Sequence, residues 1–393
     1  MRFPVWFLVD TVQGIGISGM PEAENLMASM TTLARPVLQR SWPRQVVARV
    51  TVLAPGLLLS AGIAVAALLL GRVAFFAGHG LGTLTLAIGL GIVLGNTGTV
   101  RRAASYEAGV HFSKQKLLRL GIILYGFRLT MQQIGEVGVA GVMIDALVLG
   151  STFGLALLLG LKVFRLDRET VILIGAGSSI CGAAAILATA PVLRARAESV
   201  TVAVSTVVVF GTLAIFVYPL LFRLNAHWQV LGLAPATFGV YVGSTLHEVA
   251  QVVAAARSVS EEAANTAVIA KMVRVMMLAP FLIGLSVTLS RRGGASDTRV
   301  ASAGRLELPW FAVIFIAMVG LNSLSLLPAV VVEGLIALDT VLLAMAMAAL
   351  GLGTQVAAIR RAGARPLLLA GLLFGWLIAG GALINRLVMQ WIG

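Results

Sequence analysis

Lys271 and Arg274 stand three residues apart in the run IAKMVRVMMLAPFL (269–282), so a helix puts both on one face. Two cations so placed in an apolar stretch supply countercharge for an anion. A second cluster is Gly243-Ser244-Thr245-Leu246-His247-Glu248-Val249-Ala250-Gln251. On a continuous helix His247 and Gln251 share a face with Ser244, and Glu248 lies about 100° round from it. A His–Glu pair takes up and releases protons near neutral pH; satisfied hydrogen bonds between helices are the structural alternative. The third is Gly175-Ala176-Gly177-Ser178-Ser179-Ile180-Cys181-Gly182. Three glycines and two serines weaken a helix at its middle, and a helix that restarts after such a break offers free N–H groups to an anion. Close packing through small residues is the alternative there, and Cys181 reads as a small packing residue. Asp145 is a further charge inside an apolar run. Asp145, Glu248, Lys271 and Arg274 would together cost about 10–14 kcal/mol in a membrane if unpaired. They must therefore pair or line a wet cavity, unless Lys271 reaches the surface along its aliphatic stem. The expected substrate-binding set is Gly177, Ser178, Ser179, Cys181, Gly182, Gly243, Ser244, Thr245, Gln251, Lys271 and Arg274. The expected coupling set is His247, Glu248 and Asp145.

The elements that position these residues are set by hydropathy. The chain has 393 residues, of which 59% are hydrophobic and 11% charged, and a mean hydropathy of +0.98. A soluble domain carries about 25% charge. These values exclude a soluble globular enzyme, a disordered chain and a disulfide scaffold. The apolar runs are continuous, which argues against a transmembrane barrel. The net charge of +13 is dispersed in short clusters between apolar runs, which is a topology signal and not a nucleic-acid footprint. One cysteine and four scattered histidines make no metal constellation. No P-loop is present, and no cofactor is expected.

Eleven apolar segments follow Thr51, near 51–71, 82–99, 112–131, 138–161, 170–193, 199–221, 235–257, 265–289, 309–330, 336–358 and 365–388. The expected fold is all-α and polytopic, with about eleven transmembrane helices in one domain over 51–393. Residues 1–50 form a cytoplasmic arm, either disordered or an overlong start. With the N-terminus inside, the basic clusters at 101–119, 162–168, 291–305 and 360–365 fall on the cytoplasmic side. Arg194 and Arg196 then fall outside, against the rule, unless the segment before them is broken or re-entrant. Shifting the sequence by 225 pairs Gly95 with Gly320, Gly126 with Gly351, Gly138 with Gly363 and Gly150 with Gly375. That offset carries segments one to four onto eight to eleven, so the copies run in opposite directions, a transporter signature. A second match, at offset 66, aligns 177–190 with 243–256. The two offsets do not describe one simple duplication. Asn96 and Asn322, beside Gly95 and Gly320, either gate or hydrogen-bond between helices.

Longer motifs carry a resemblance. LLRLGIILYGFRLT (117–130), LIGAGSSICGAAAILATAPV (173–192), VGSTLHEVAQVVAAA (242–256), IAKMVRVMMLAPFL (269–282) and LLAMAMAALGLGTQVAAIRRAGARPLLLAGLLFGWLI (342–378) resemble the YeiH-type sulfate exporter family. The resemblance runs from about Leu53 to the C-terminus. It implies a multi-pass protein of the bacterial inner membrane, with inverted repeats and broken helices like those of cation–proton antiporter-like transporters. It also implies export of sulfate, sulfite or a small organosulfonate. The residues read together with it give a secondary transporter coupled to protons or the membrane potential. Its expected partners are the lipid bilayer, a small anionic substrate, protons and a second copy in a homodimer. The alternatives are a sodium–proton or organic-anion carrier on the same scaffold, a passive channel, and an intramembrane enzyme in which His247 activates Cys181 or Ser178.

Overall fold

The computed structural model describes residues 42–73, 75–76, 82–97, 104–228, 234–292, 310–354 and 363–392. Most of the expected arm, the 293–309 connection and the basic cluster near 360 lie outside the described residues. Contacts divide the chain into two compact units, Met1–Ala54 and Pro55–Gly393; apart from the start of the first helix, everything below concerns the second. All regular structure among the described residues is helical. Six helical stretches are long and apolar enough to cross a membrane: Val50–Leu70, Met131–Val163, Ala197–Asn225, Glu261–Leu289, Ala329–Gly353 and Ala364–Ile392.

The first helix, α1, is Trp42–Leu70, and α2 is Thr83–Asn96. The third apolar segment is irregular: α3 (Glu107–Phe112), a π-helical turn over Ser113–Leu117, α4 (Leu118–Tyr125) and a closing 3₁₀ turn over Gly126–Arg128. A capping box between Thr130 and Gln133 starts α5 (Met131–Leu158).

The fifth segment is not one continuous helix. Asp167 caps α6 (Arg168–Ser179) by accepting from the Thr170 N–H at 2.9 Å. The glycines and serines of the last turn then give way to Ile180-Cys181-Gly182, where Gly182 takes φ +68°, a conformation that favours glycine. The chain turns back there into α7 (Ala183–Leu193). As a result Arg196 meets the start of α6: its N–H donates to Glu169 Oε2 at 3.2 Å, and its guanidinium lies 3.5 Å from Glu169 and 3.8 Å from Asp167. A continuous helix from Glu169 to Arg196 would hold these ends about 40 Å apart. Segment 170–193, expected as a span, is a helical hairpin whose two ends lie together.

The seventh segment behaves in the same way. Pro235 occupies the first turn of α9 (Pro235–Thr245), and the helix stops at Leu246-His247-Glu248 before α10 (Val249–Arg257). Three residues later Ser260 caps α11 (Glu261–Met276), which has Glu261 and Glu262 in its first turn. Gly239 lies against Ala263 and Thr266, and Gly243 against Ala267 and Ala270. Residue numbers rise together along both helices, so α9 and α11 are parallel. With a link of only Ser258–Ser260, α10 must return antiparallel between them.

The long helix α8 (Ala197–Trp228) shows that the hairpins enter from opposite ends. Its N-terminal end adjoins the base of the first hairpin through Arg196. Its C-terminal part adjoins the base of the second, with Phe222–Phe238 ring centroids 4.7 Å apart and Tyr218–Tyr241 5.1 Å apart. At mid-helix Val207 touches Gly182, and Gly211 touches the Gln251 side chain. The two tips therefore meet beside the middle of α8.

The chain closes with α12 (Leu278–Arg292), α13 (Trp310–Ser323), α14 (Ala329–Gly353) and α15 (Ala364–Ile392). One contact recurs close to the offset of 225, its two asparagines being 226 residues apart. Asn96 Nδ2 donates to Thr354 O and Asn322 Nδ2 to Leu129 O, each at 2.9 Å; Leu129 and Thr354 are themselves related by that offset. Gly138 and Gly363, related in the same way, both have positive φ. Trp376 Nε1 donates to Ser151 Oγ at 3.3 Å across the same offset.

Candidate functional site

The two hairpin tips are tied together by α11. Lys271 and Arg274 are completely buried. Lys271 Nζ donates to Ile180 O at 2.8 Å and Leu246 O at 2.6 Å, one carbonyl from each tip. Arg274 donates from Nε to Ser179 O at 2.8 Å, from Nη1 to Leu246 O at 3.0 Å and from Nη2 to Ser178 O at 2.8 Å. These carbonyls are the open C-terminal ends of α6 and α9, where the helix dipole is negative. The local sequence makes this arrangement: polar, glycine-rich last turns stop both helices, and α11 brings its two cations to the exposed carbonyls.

Lys271 and Arg274 are the residues expected to supply countercharge for an anion. Their identified donors are taken by backbone. Ser178, Ser179, Ser244 and Thr245 also sit at helix ends that present acceptors, whereas an anion seat needs donors. Gly177 and Gly243 lie inside helices, Gly177 against Ile186 and Val207. Ser244 Oγ donates to Tyr241 O and accepts from Asn385 Nδ2, both at 3.1 Å, and Thr245 Oγ1 donates to Tyr241 O. The N–H ends lie across the tips, at Ala183 and Val249, where α7 and α10 begin.

Glu248 is the N-cap of α10. Its carboxylate accepts from the Gln251 N–H, and Gln251 Oε1 accepts from the Glu248 N–H at 3.1 Å. The helical face proposed for His247 and Gln251 does not exist, because the helix is interrupted between them. His247 is 2% exposed, and its Nδ1 has no partner among the described residues. Glu248 also reaches the first tip: a β-carbon on Gly182 would stand 2.9 Å from its Cγ and 3.5 Å from its Oε1. Asp145, on α5, is completely buried with neither oxygen hydrogen-bonded among the described residues. Arg274 and Lys271 are the charges that act on it.

A cavity of about 190 Å³ opens onto the tips. Its inner end is formed by Cys181, Ala183, Glu248 and Val249. Its walls are apolar, from Leu118, Ile122, Leu278 and Phe311, and Lys114, Gln115 and Arg119 stand along its outer part. The last three come from the π-helical turn and α4, and sequence reading gave them no role beyond topology.

At the other end of the third segment a second buried network was missed. Asp339 on α14 is completely buried, and Arg128 binds it through Nε at 2.8 Å. Arg128 also donates to Thr340 Oγ1 at 2.7 Å, Ile336 O at 3.1 Å and Glu261 Oε1 at 3.2 Å. It stacks 5.4 Å over the ring of Tyr125, whose hydroxyl donates to Asn265 at 3.0 Å. The acid within LIALDTVLL (335–343) was the available signal. No group of acidic, histidine or cysteine side chains among the described residues could hold a metal ion.

Comparison with known proteins agrees with the membrane assignment. The family model described as conserved hypothetical protein 698 matches residues 55–370. A UPF0324 membrane protein of Pseudomonas aeruginosa is 62% identical over 342 residues, covering 87% of this chain and 96% of the relative. The UPF0324 inner membrane protein YeiH of Salmonella typhi is 58% identical over 334 residues, 85% and 94% of the two chains. YeiH of Escherichia coli K12 is 56% identical over 336 residues, 86% and 94%. No solved structure matches the chain.

Proposed function

This chain belongs to the conserved hypothetical protein 698 (UPF0324) family of membrane proteins, and from that premise we propose that it is a secondary transporter for a small sulfur oxyanion. The observation that carries the reading is the meeting of two oppositely entering hairpins at one buried cation pair. Non-helical backbone is tolerated at membrane depth only where it is buried in protein or lines a cavity. Carriers place their sites where such interrupted helices from opposed halves meet.

Nine of the eleven apolar segments then cross, and the two hairpins dip in from opposite faces. On this count five crossings separate the copies at offset 225, and one crossing separates the hairpins at offset 66. Both offsets become inverted pairs. The paired asparagine bonds and the positive-φ glycines support the same symmetry. Arg194 and Arg196 return to the side of Lys162, Arg165 and Arg168, as the positive-inside rule asks of the cytoplasmic face. The protein sits in the inner membrane with its N-terminus inside, in inverted halves of the antiporter-like kind.

The sulfur oxyanion follows from the resemblance to sulfate exporters, with sulfate and sulfite the leading substrates. The apolar walls of the cavity favour a second candidate, a short organosulfonate. Glu248 and Asp145 are the proton sites, with His247 beside them; Lys271 and Arg274 hold the tips in place. The test is uptake of labelled sulfate, sulfite and ethanesulfonate into proteoliposomes, with and without an imposed pH gradient or potential. Gradient-driven accumulation of any of the three supports the carrier. Dissipative flux that ignores both gradients would replace it with a channel.

A further inference from the structure

We propose that the cavity between Lys114, Arg119 and Glu248 is the oxyanion chamber, and that the Glu248 carboxylate competes with the substrate for it, so that one proton enters with each anion. The proposal rests on the carrier reading and deepens it by assigning the site and the sense of coupling.

Three observations carry it. The cavity of about 190 Å³ exceeds the volume of a tetrahedral oxyanion and leaves room for a short apolar substituent or water. Two cations, Lys114 and Arg119, line it, and among the described residues neither they nor Glu248 take part in an ion pair. Glu248 is the acid of the cavity lining, placed at the inner end against Gly182 and between the starts of α7 and α10. Its carboxylate holds the Gln251 N–H, so a fixed anion already sits where a soluble one would be drawn.

The charge logic is direct. With Glu248 ionised, the lining residues Lys114, Arg119 and Glu248 sum to one positive charge. With Glu248 protonated they sum to two, and the competing carboxylate has lost its hold on the helix start. The other titratable groups facing Glu248 are Lys271 from α11 and Cys181 from the first tip, both of which interact with it electrostatically, and His247, its chain neighbour. Lys271 is engaged by two carbonyls and stays in place. The α8 surface contributes Val207 and Gly211, which carry no charge. Proton and anion therefore move in the same direction, and a dianion with one proton carries net charge.

The experiment is equilibrium binding of labelled sulfate and of ethanesulfonate to the full chain in lipid nanodiscs, across about pH 5.5–8, where both probes stay fully ionised. The wild type should bind progressively more weakly as the pH rises, by up to about tenfold per unit, because only the protonated fraction is competent. Glu248→Gln should bind with a flat profile, at the affinity the wild type reaches in acid. Lys114→Gln and Arg119→Gln should each bind about fivefold more weakly at acid pH. A flat wild-type profile, an unchanged slope in Glu248→Gln, or no binding of either probe overturns the proposal. If Glu248→Gln does not fold, wild-type affinity in both Lys114→Gln and Arg119→Gln overturns it alone. Gradient-driven uptake into proteoliposomes alongside a flat binding profile would remove this site and leave the carrier standing. The expected binding profile without any uptake would do the reverse.

Discussion

Arg274 commits three N–H directions to three carbonyls from two helices, and it does so with no access to solvent. Each carbonyl orphaned in a buried site costs about 1–3 kcal/mol. Arg274→Gln should therefore destabilise the protein by about 3 kcal/mol or more and abolish transport, read as a lower melting temperature in detergent together with lost flux. The Arg128–Asp339 pair makes a separate prediction. Removing one partner of a buried pair costs about 3–5 kcal/mol, since the other charge loses its buried counterion. We expect that loss for Asp339→Asn, and a double variant with Arg128→Gln that is less damaged than the two singles summed. Glu261→Gln should change stability by under about 1 kcal/mol, because Glu261 is 65% exposed. Gly182→Ala places a β-carbon at φ +68° and against Glu248, which should cost about 1–3 kcal/mol.

At the scale of elements, the hairpins are the finding that hydropathy could not supply. An apolar run such as 170–193 scores alike whether it crosses or folds back, and the return is decided by the few residues of the tip and by contacts far along the chain. The residues that mark the tips were legible: glycine and serine at 175–182, and the polar set at 243–251. So was their conflict with topology, at Arg194 and Arg196. What those residues touch was not legible. The partners of Arg274 lie 28, 95 and 96 residues away in the chain, and Arg128 and Asp339 are separated by 211, so no local pattern joins them. The sign of the tip chemistry was missed for a related reason. A break creates a C-terminal end before it creates an N-terminal one, and the sequence does not say which end the cations meet. Cysteines at Glu169 and Arg196, in a Cys181→Ala background, should form a disulfide within the membrane-embedded protein. Two ends of a continuous span would give no cross-link. Single cysteines at Leu166 and Ala195 should also be labelled from one side of sealed vesicles, and one at Ser260 from the other.

For the whole molecule, the two charge clusters sit at different depths along the third segment. Lys114 and Arg119 line an open cavity, while Arg128, Asp339 and Glu261 knit the 3₁₀ turn after α4 to α14 and α11 farther along. The proposed carrier would need one end open while the other is held shut, and this distribution fits that asymmetry. Weakening the Arg128 network should then shift the population toward the opposite opening. In Asp339→Asn we expect faster labelling of a cysteine at Ser260 and slower labelling of the native Cys181, which belongs to the cavity lining. Equal changes at both positions would indicate general loosening instead.

The dependence of the first hairpin on Lys271 also has a consequence in time. Lys271 follows Ile180 by 91 residues, and at about 5–20 residues per second a ribosome needs roughly 5–18 s to deliver it. Throughout that interval the nascent hairpin has carbonyl ends without their cations, and lipid cannot satisfy them. The newborn segment must wait at the wet boundary or inside the insertion machinery, and it reaches its final depth only when α11 arrives.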